Sequence, residues 1–219
     1  MGATHSTPPI ESTVKILLLG LTGSGKSYTL QLERGLETLP AHMPTRVEST
    51  LVDKGVTVVD VGGLFRFQWQ RLVAASDCDA PVAGVVFVVD AIGSQVLHDV
   101  RLRIRDALQA RRMPDQLDVD LLAGHAREHT DALAQAASYL ADIDVELAAG
   151  IPIAVVYRRL VRQPAEECER HAQRLHAQLG LCNMERRPLK TFVSLRRAML
   201  WILSIATATA TDAAAAATP

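Results

Sequence analysis

The segment at residues 20–27 is the part of the chain whose residue types and spacing can do the most specific chemistry. It reads GLTGSGKS and fits the pattern G-x-x-x-x-G-K-[ST] in full. Glycines leave consecutive backbone N–H groups free to curl around phosphate oxygens. Lys26 can reach the outer phosphates of a nucleotide, and the Ser27 hydroxyl can bind Mg²⁺. The segment therefore predicts a polyphosphate-binding loop, a P-loop.

The residues on either side predict the strand and the helix that position this loop. An apolar run at residues 14–19 is typical of a buried strand, and residues 28–36 follow the loop with a helical pattern. A helix that begins at Lys26 directs the positive end of its dipole at the same anion. A glycine-rich turn that carries a lysine by chance would not account for both neighbours.

A second motif narrows the class of P-loop protein. Residues 47–52 and 56–60 are short β-branched runs joined through Gly55, which predicts a hairpin. Asp60 and Gly63 then form D-x-x-G, in which the carboxylate can hold Mg²⁺ through water and the glycine N–H can meet a γ-phosphate. The residues predicted to contact the nucleotide are Gly20, Gly23, Ser24, Gly25, Lys26, Ser27, Tyr28, Asp60 and Gly63.

The rest of the chain alternates apolar runs with helical patterns. This alternation predicts an α/β fold with a mostly parallel sheet, helices on both faces and one antiparallel edge hairpin. The further strands are expected at 83–89, 151–156 and 189–193, and the further helices at 95–110, 164–179 and 195–206.

The chain is expected to form one main domain with flanking segments. The expected parts are a flexible N-terminal segment (1–13), a P-loop domain (14–206) and a frayed, low-complexity tail (207–219). Residues 111–150 are expected to be a helical insert packed on the domain edge, with a long helix at about 123–149. Within it, His125, Glu128 and His129 match a zinc-hydrolase spacing, but a solvated helix face is the favoured interpretation.

Charge and composition exclude several kinds of partner. The 23 Lys and Arg residues nearly balance the 24 Asp and Glu residues, so no net field favours nucleic acid. No run approaches the roughly 18 apolar residues of a membrane span. The polar start is not a secretory signal, but it fits the N-myristoylation pattern at Gly2. We expect a cytoplasmic protein, held at membranes only weakly by one acyl chain.

Together the motifs resemble those of the ADP-ribosylation factor (Arf) family of Ras-like GTPases. The matching features are glycine at position 2, GL at 20–21, PT at 44–45, DVGG at 60–63, VFVVD at 86–90 and IPI at 151–153. The resemblance implies GTP/GDP and Mg²⁺ as cofactors. It also implies protein effectors bound through the switch regions, and a role in membrane traffic or protein targeting. By the same resemblance, Thr45 is the switch I threonine that binds Mg²⁺. Phe65, Phe67 and Trp69 would lie on switch II, either as a partner face or packed under the domain.

Three departures from the family pattern bear on function. Leu64 stands where the family has the glutamine that orients the attacking water, so intrinsic hydrolysis is expected to be slow. YRRLV at 157–161 replaces the guanine-reading N-K-x-D, which relaxes base choice. Arg158 or Arg159 could stack on the base instead. The usual aromatic residues of the effector surface are also absent, at 47–49 and at Val59, so the family's known effectors are not inferred.

The sequence leaves three functions open. The first is a GTP-binding switch with slow hydrolysis. The second is a pseudo-GTPase scaffold that keeps the phosphate cradle but does not select guanine. The third is a small-molecule P-loop kinase, which the hairpin with D-x-x-G disfavours, as does the small number of arginines at 111–150.

Overall fold

Alternating strands and helices make up the chain in the computed structural model. It describes residues 14–35, 47–53, 55–65, 68–74, 80–90, 92–110, 112–158, 165–181 and 187–216. The strands are β1 (Val14–Leu19), β2 (Val47–Asp53), β3 (Val56–Val61), β4 (Val82–Asp90), β5 (Ile153–Arg158) and β6 (Leu189–Phe192). The helices are α1 (Lys26–Glu33), α2 (Gln68–Ala74), α3 (Ile92–Gln109), α4 (Gln116–Glu146), α5 (Ala165–Gln178) and α6 (Leu195–Ala216). A short 3₁₀ helix spans Gly63–Phe65.

One six-stranded sheet forms the centre of the fold, in the order β2-β3-β1-β4-β5-β6. β2 pairs with β3 in antiparallel fashion, and the other neighbours are parallel. Gly55, with φ of 80°, lies between the two hairpin strands, where a left-handed residue suits a tight connection. The predicted α/β fold and its antiparallel edge hairpin are confirmed.

Both faces of the sheet are covered, because successive side chains of a strand point to opposite faces. On one face, Leu17, Phe87 and Val155 pack with residues of α2, α4 and α5. On the other face, Ile16 and Val86 pack with residues of α1 and α6. Strands buried on both sides explain why the central runs are almost entirely apolar.

The long helix α4 corrects the expectation of an insert packed on the domain edge. Leu140 and Ile143 in its second half are fully buried in the core over the sheet, and Tyr139 packs edge-on against Phe87 with ring centroids 5.4 Å apart. The residues at 133–147 therefore belong to the main domain. Their apolar positions recur three or four residues apart, which is the spacing of a helix face that covers a core.

The first half of α4 packs instead against α3. Arg103 on α3 pairs with Asp118 on α4 at 2.7 Å, so the two helices run antiparallel on either side of their connection. Among the side chains that the structure describes between residues 116 and 132, none belongs to the two core clusters. The long helix also begins earlier than residue 123, where it was expected to start. Asp115 accepts a hydrogen bond from the Leu117 N–H and caps a helix that begins at Gln116.

The C-terminal helix extends farther than expected. It was predicted to end at residue 206, with a frayed tail after it, but α6 continues to Ala216. Alanine has the highest intrinsic helix propensity. The hydroxyls of Thr207, Thr209 and Thr211 donate hydrogen bonds to carbonyl oxygens one turn earlier. Among the described residues, no helix is both long and apolar enough to cross a bilayer.

A buried arginine fixes the end of α4 against the sheet. The Arg187 side chain is 1% exposed, and its Nε donates to Asp144 at 2.6 Å. Its other nitrogens donate to the carbonyl oxygens of Leu147, Ala148 and Ile151. A cation that pairs with the last carbonyls of a helix is favoured by the helix dipole. This contact helps to hold α4 in the position from which it reaches the P-loop.

Candidate functional site

The P-loop connects β1 to α1 at the carboxyl edge of the sheet. Gly25 is the N-cap residue of α1 and has φ of 81°, a conformation that favours glycine. Lys26 is only 6% exposed, and its Nζ donates to the carbonyl oxygens of Gly20 at 3.1 Å and Leu21 at 2.9 Å. Burial lowers the pKa of Lys26, and the neighbouring Asp60 carboxylate opposes that shift. The lysine is thus held inside the loop that is predicted to bind phosphates.

Ser27 and Asp60 are brought together from distant parts of the sequence. The Ser27 hydroxyl donates a short hydrogen bond to Asp60 Oδ2. Asp60 is 1% exposed and lies at the end of β3, beside the start of α1. A hydroxyl and a carboxylate are oxygen ligands of the kind that Mg²⁺ prefers, and Lys26 offsets the charge of the buried carboxylate. These residues fit a magnesium ion held between the P-loop and the D-x-x-G motif.

Gly63 brings the D-x-x-G motif against the P-loop. A Cβ placed on Gly63 would lie 2.2 Å from the Thr22 backbone nitrogen and 2.6 Å from the carbonyl carbon of Leu21. Only glycine allows this approach of one backbone to another. The predicted phosphate-binding loop and the predicted γ-phosphate contact therefore lie side by side.

Leu64 follows Gly63 and is 67% exposed. It lines a cleft of ≈ 550 Å³ with Thr22 and Gly63 on one side. The side chains that α4 contributes to the opposite wall include Glu128, Asp131 and Gln135. These three residues were not expected near the site, because their helix was predicted to form an edge insert.

A smaller cavity of ≈ 170 Å³ lies between the P-loop, the end of β4 and α4. Ser24 and His129 are among its lining residues, and Ser24 Oγ is buried with no hydrogen-bond partner in the part of the chain that the structure describes. The expectation of a solvated face therefore holds for the exposed Glu128 but not for the half-buried His129. No cluster of three potential metal ligands occurs among the described residues.

Arg158, the last residue of β5, crosses the P-loop at the side opposite to Asp60. Its Cζ lies 5.0 Å from the centroid of the Tyr28 ring, in a cation–π contact. A Cβ placed on Gly25 would lie 2.5 Å from Arg158 Nη1. Tyr28 was predicted to line the nucleotide site, and the structure places it in contact with the residue that stands where a guanine-reading motif was expected.

The remaining predicted site residues have mixed outcomes. Trp69 is 2% exposed and belongs to the core, so for this residue packing under the domain is confirmed. Phe65 lies in the 3₁₀ helix, and its side chain lies outside the described atoms. Phe67, the proposed magnesium ligand Thr45 and the proposed myristoylation site Gly2 lie outside the described residues.

The sheet order, the edge hairpin and the P-loop beside D-x-x-G define the class of protein as a P-loop α/β domain of the small GTPase type. The family model of the ADP-ribosylation factor family matches residues 4–134. The chain belongs to the ADP-ribosylation factor family. No curated protein matches the chain.

Solved structures of small GTPases are similar to the chain at low sequence identity. The Arl6 (BBS3) small GTPase of Trypanosoma brucei, with the bound analogue GppNp, is 18% identical over 89% of this chain and 97% of that chain, with a TM-score of 0.46. The SRb-GTP/SRX complex of the signal recognition particle receptor from Chaetomium thermophilum is 19% identical, with coverages of 82% and 89% and a TM-score of 0.46. The mammalian SRP receptor is 16% identical, with coverages of 87% and 99% and a TM-score of 0.52. This last likeness supports the fold.

Proposed function

We propose that the protein is a magnesium-dependent GTP-binding switch of the Arf family that hydrolyses GTP slowly. The observation that carries the proposal is the convergence of Lys26, Ser27 and Asp60 at the N-terminus of α1. A lysine, a magnesium-binding pair and a helix N-terminus all favour the same polyanion. Membership of the family makes a guanine nucleotide the first ligand to test.

Each part of the loop has a distinct role in this proposal. The backbone N–H groups around Gly23, Ser24 and Gly25 donate to phosphate oxygens, and Lys26 leaves its carbonyl partners to meet the outer phosphates. Ser27 and, through water, Asp60 hold Mg²⁺, with Thr45 as a further ligand. The metal, when bound, neutralises charge on the terminal phosphates. The Gly63 N–H donates a hydrogen bond to the γ-phosphate when that phosphate is present.

Slow hydrolysis follows from the side chain at position 64. Leu64 lies beside the P-loop cleft, but it has no polar atom with which to orient a water molecule. The bound triphosphate is therefore long-lived without a partner that supplies the missing group. Such a protein stays in its triphosphate state until a second protein acts on it.

A pseudo-GTPase scaffold is the second candidate, and the end of β5 favours it. Arg158 lies where the family reads guanine, and a guanidinium has five donors and no acceptor. A scaffold of this kind would bind nucleotide without selecting guanine and without a working cycle. The two candidates differ in whether bound GTP is turned over and in whether partners distinguish the two nucleotide states.

We further propose that partners bind around the switch regions. Val47 on the edge strand β2 and Leu64 after D-x-x-G have exposed side chains. Effectors of this kind would place the protein in membrane traffic or protein targeting, in the cytoplasm or at a membrane surface. A myristoyl group on Gly2 would give weak membrane association.

Calorimetric titration of the full chain with GTP and Mg²⁺ tests the phosphate-binding proposal. Lys26→Ala is expected to weaken binding by about 100-fold or more, because it removes a buried charge that faces the phosphates. Lys190→Ala is the matched control, since Lys190 is an exposed lysine on the edge strand β6. Unchanged affinity in Lys26→Ala, or an equal loss in both variants, would overturn the assignment.

A further inference from the structure

Arg158 points toward the P-loop because successive side chains of β5 point to opposite faces of the sheet. Tyr157 before it belongs to the core on the α4 face, and Val156 belongs to the core on the α1 face. Arg158 therefore leaves the strand on the α1 face. It does so at the carboxyl end of a parallel strand, the edge at which open α/β sheets bind ligands.

The guanidinium of Arg158 occupies space that stays open only because residue 25 is glycine. A Cβ on Gly25 would lie 2.5 Å from Arg158 Nη1, 2.6 Å from Cδ and 2.9 Å from Nε. On another side, Cζ rests 5.0 Å from the Tyr28 ring centroid. The arginine is thus held against the loop and against the first turn of α1, which supplies the backbone N–H groups for a phosphate.

Apart from its cation–π contact with Tyr28, the guanidinium of Arg158 has no charged partner inside the described part of the chain. The side chain is half-buried, and no carboxylate among the described residues pairs with it. Burying a guanidinium costs free energy unless a hydrogen-bonded anion compensates for it. An anionic ligand in the P-loop would supply that anion.

Strand order gives the direction in which such a ligand lies. Asp60 lies near the end of β3 and Arg158 ends β5, with β1 and β4 between them. The magnesium-binding pair and the outer phosphates therefore lie toward β3. A nucleotide whose phosphates bind there would extend toward β5, where Arg158 and Tyr28 lie.

We propose that Arg158, supported by Tyr28, anchors the nucleoside end of the nucleotide without reading the base, so that the site takes ATP as well as GTP. This inference rests on the proposed nucleotide-binding function. A guanidinium plane can stack on any base and its charge can pair with the nearest phosphate, whereas selecting guanine requires acceptors for its N–H groups. Sites that do hydrogen-bond a base edge reject analogues by about 10⁴ or more.

The test is titration of the full chain with Mg·GTP and with Mg·ATP. The two dissociation constants of the wild type are expected to agree within about tenfold, because stacking is base-tolerant. Arg158→Ala is expected to weaken both nucleotides by about tenfold, in equal proportion. Arg158→Lys keeps the charge but loses the planar face, so its affinities are expected to lie between those of the wild type and Arg158→Ala.

Arg174→Ala is the matched control, because Arg174 is an exposed arginine on α5. Thermal unfolding of each variant identifies any loss of affinity that comes from misfolding. If Arg158→Ala misfolds, Arg158→Lys remains as the test. A preference for GTP of about 10⁴ would overturn the inference, as would unchanged affinities in Arg158→Ala. If the wild type binds neither nucleotide, the proposed function fails as well. If Lys26→Ala abolishes binding while Arg158→Ala does not alter it, only this inference fails.

Discussion

At the phosphate end of the site, Lys26 lies inside the P-loop, and Ser27 contacts Asp60 on β3, the strand next to β1 in the sheet. At the end of the site that we propose for the nucleoside, the guanidinium of Arg158 is stacked on the ring of Tyr28. The first end depends on backbone geometry that the whole fold supports. The second depends on two side chains, those of Arg158 at the end of β5 and Tyr28 on α1. From this comparison we expect phosphate binding to be retained and base selection to be relaxed.

Among the further variants that compare the two ends, we expect the largest effect from removal of the Asp60 carboxylate at the phosphate end. Asp60→Asn should raise the Mg²⁺ concentration for half-maximal GTP binding by about 10–100-fold, as is typical when a residue that acts on a metal through water is replaced. The measurement is a Mg²⁺ titration at fixed GTP, with a chelator at the starting point. Asp118→Asn on the outer part of α4 is the control, since its partner is the surface residue Arg103. Equal Mg²⁺ requirements in both variants would contradict the magnesium assignment.

Gly25 belongs to the P-loop at the phosphate end and also lies against Arg158 at the other end. Its replacement therefore tests both ends of the site in one experiment. Gly25→Ala should lower the free energy of unfolding by about 1–3 kcal/mol from backbone strain alone, and by more because the new Cβ meets Arg158. In an Arg158→Ala background the second contribution should disappear. Urea unfolding of the single and double variants measures the difference.

Gly150→Ala is the control for backbone strain. Gly150 has φ of 88°, and a Cβ placed there has no neighbour within 4 Å. Its cost should match that of Gly25→Ala in the Arg158→Ala background. If Gly25→Ala costs the same with and without the arginine, Arg158 does not lie across the loop in solution.

A smaller effect is expected at Leu64. Leu64→Gln should raise single-turnover GTP hydrolysis by up to about tenfold, below the 10²–10⁴ of a fully positioned catalytic group. The exposed side chain tolerates the change, and an amide can donate to and accept from a water molecule. Leu64→Met is the apolar control. An equal rise in Leu64→Met would show that the polar group is not the cause.

The phosphate end could be predicted from sequence because its signal is local. Eight consecutive residues specify the P-loop, and D-x-x-G at the end of an apolar run specifies its partner. The strands followed from runs of β-branched residues buried on both faces. These features require no knowledge of which distant segments meet.

The parts that sequence reasoning missed depend on long-range packing. The apolar face of α4 has the same spacing whether it covers the sheet or an edge, so its place in the core was not evident. Arg158 and Gly25 are far apart in the chain, and no local pattern links them. The length of α6 was missed because an Ala/Thr repeat was interpreted as low complexity and not as a strong helix former.

The most direct test of the account is a crystal structure of the full chain with Mg²⁺ and a non-hydrolysable GTP analogue. We expect Lys26 on the outer phosphates, Ser27 and Asp60 on the side of the metal, and the guanidinium of Arg158 against the nucleoside end. We also expect that no side chain accepts a hydrogen bond from the guanine edge. A base held by acceptors on its edge, with Arg158 turned away, would contradict this arrangement.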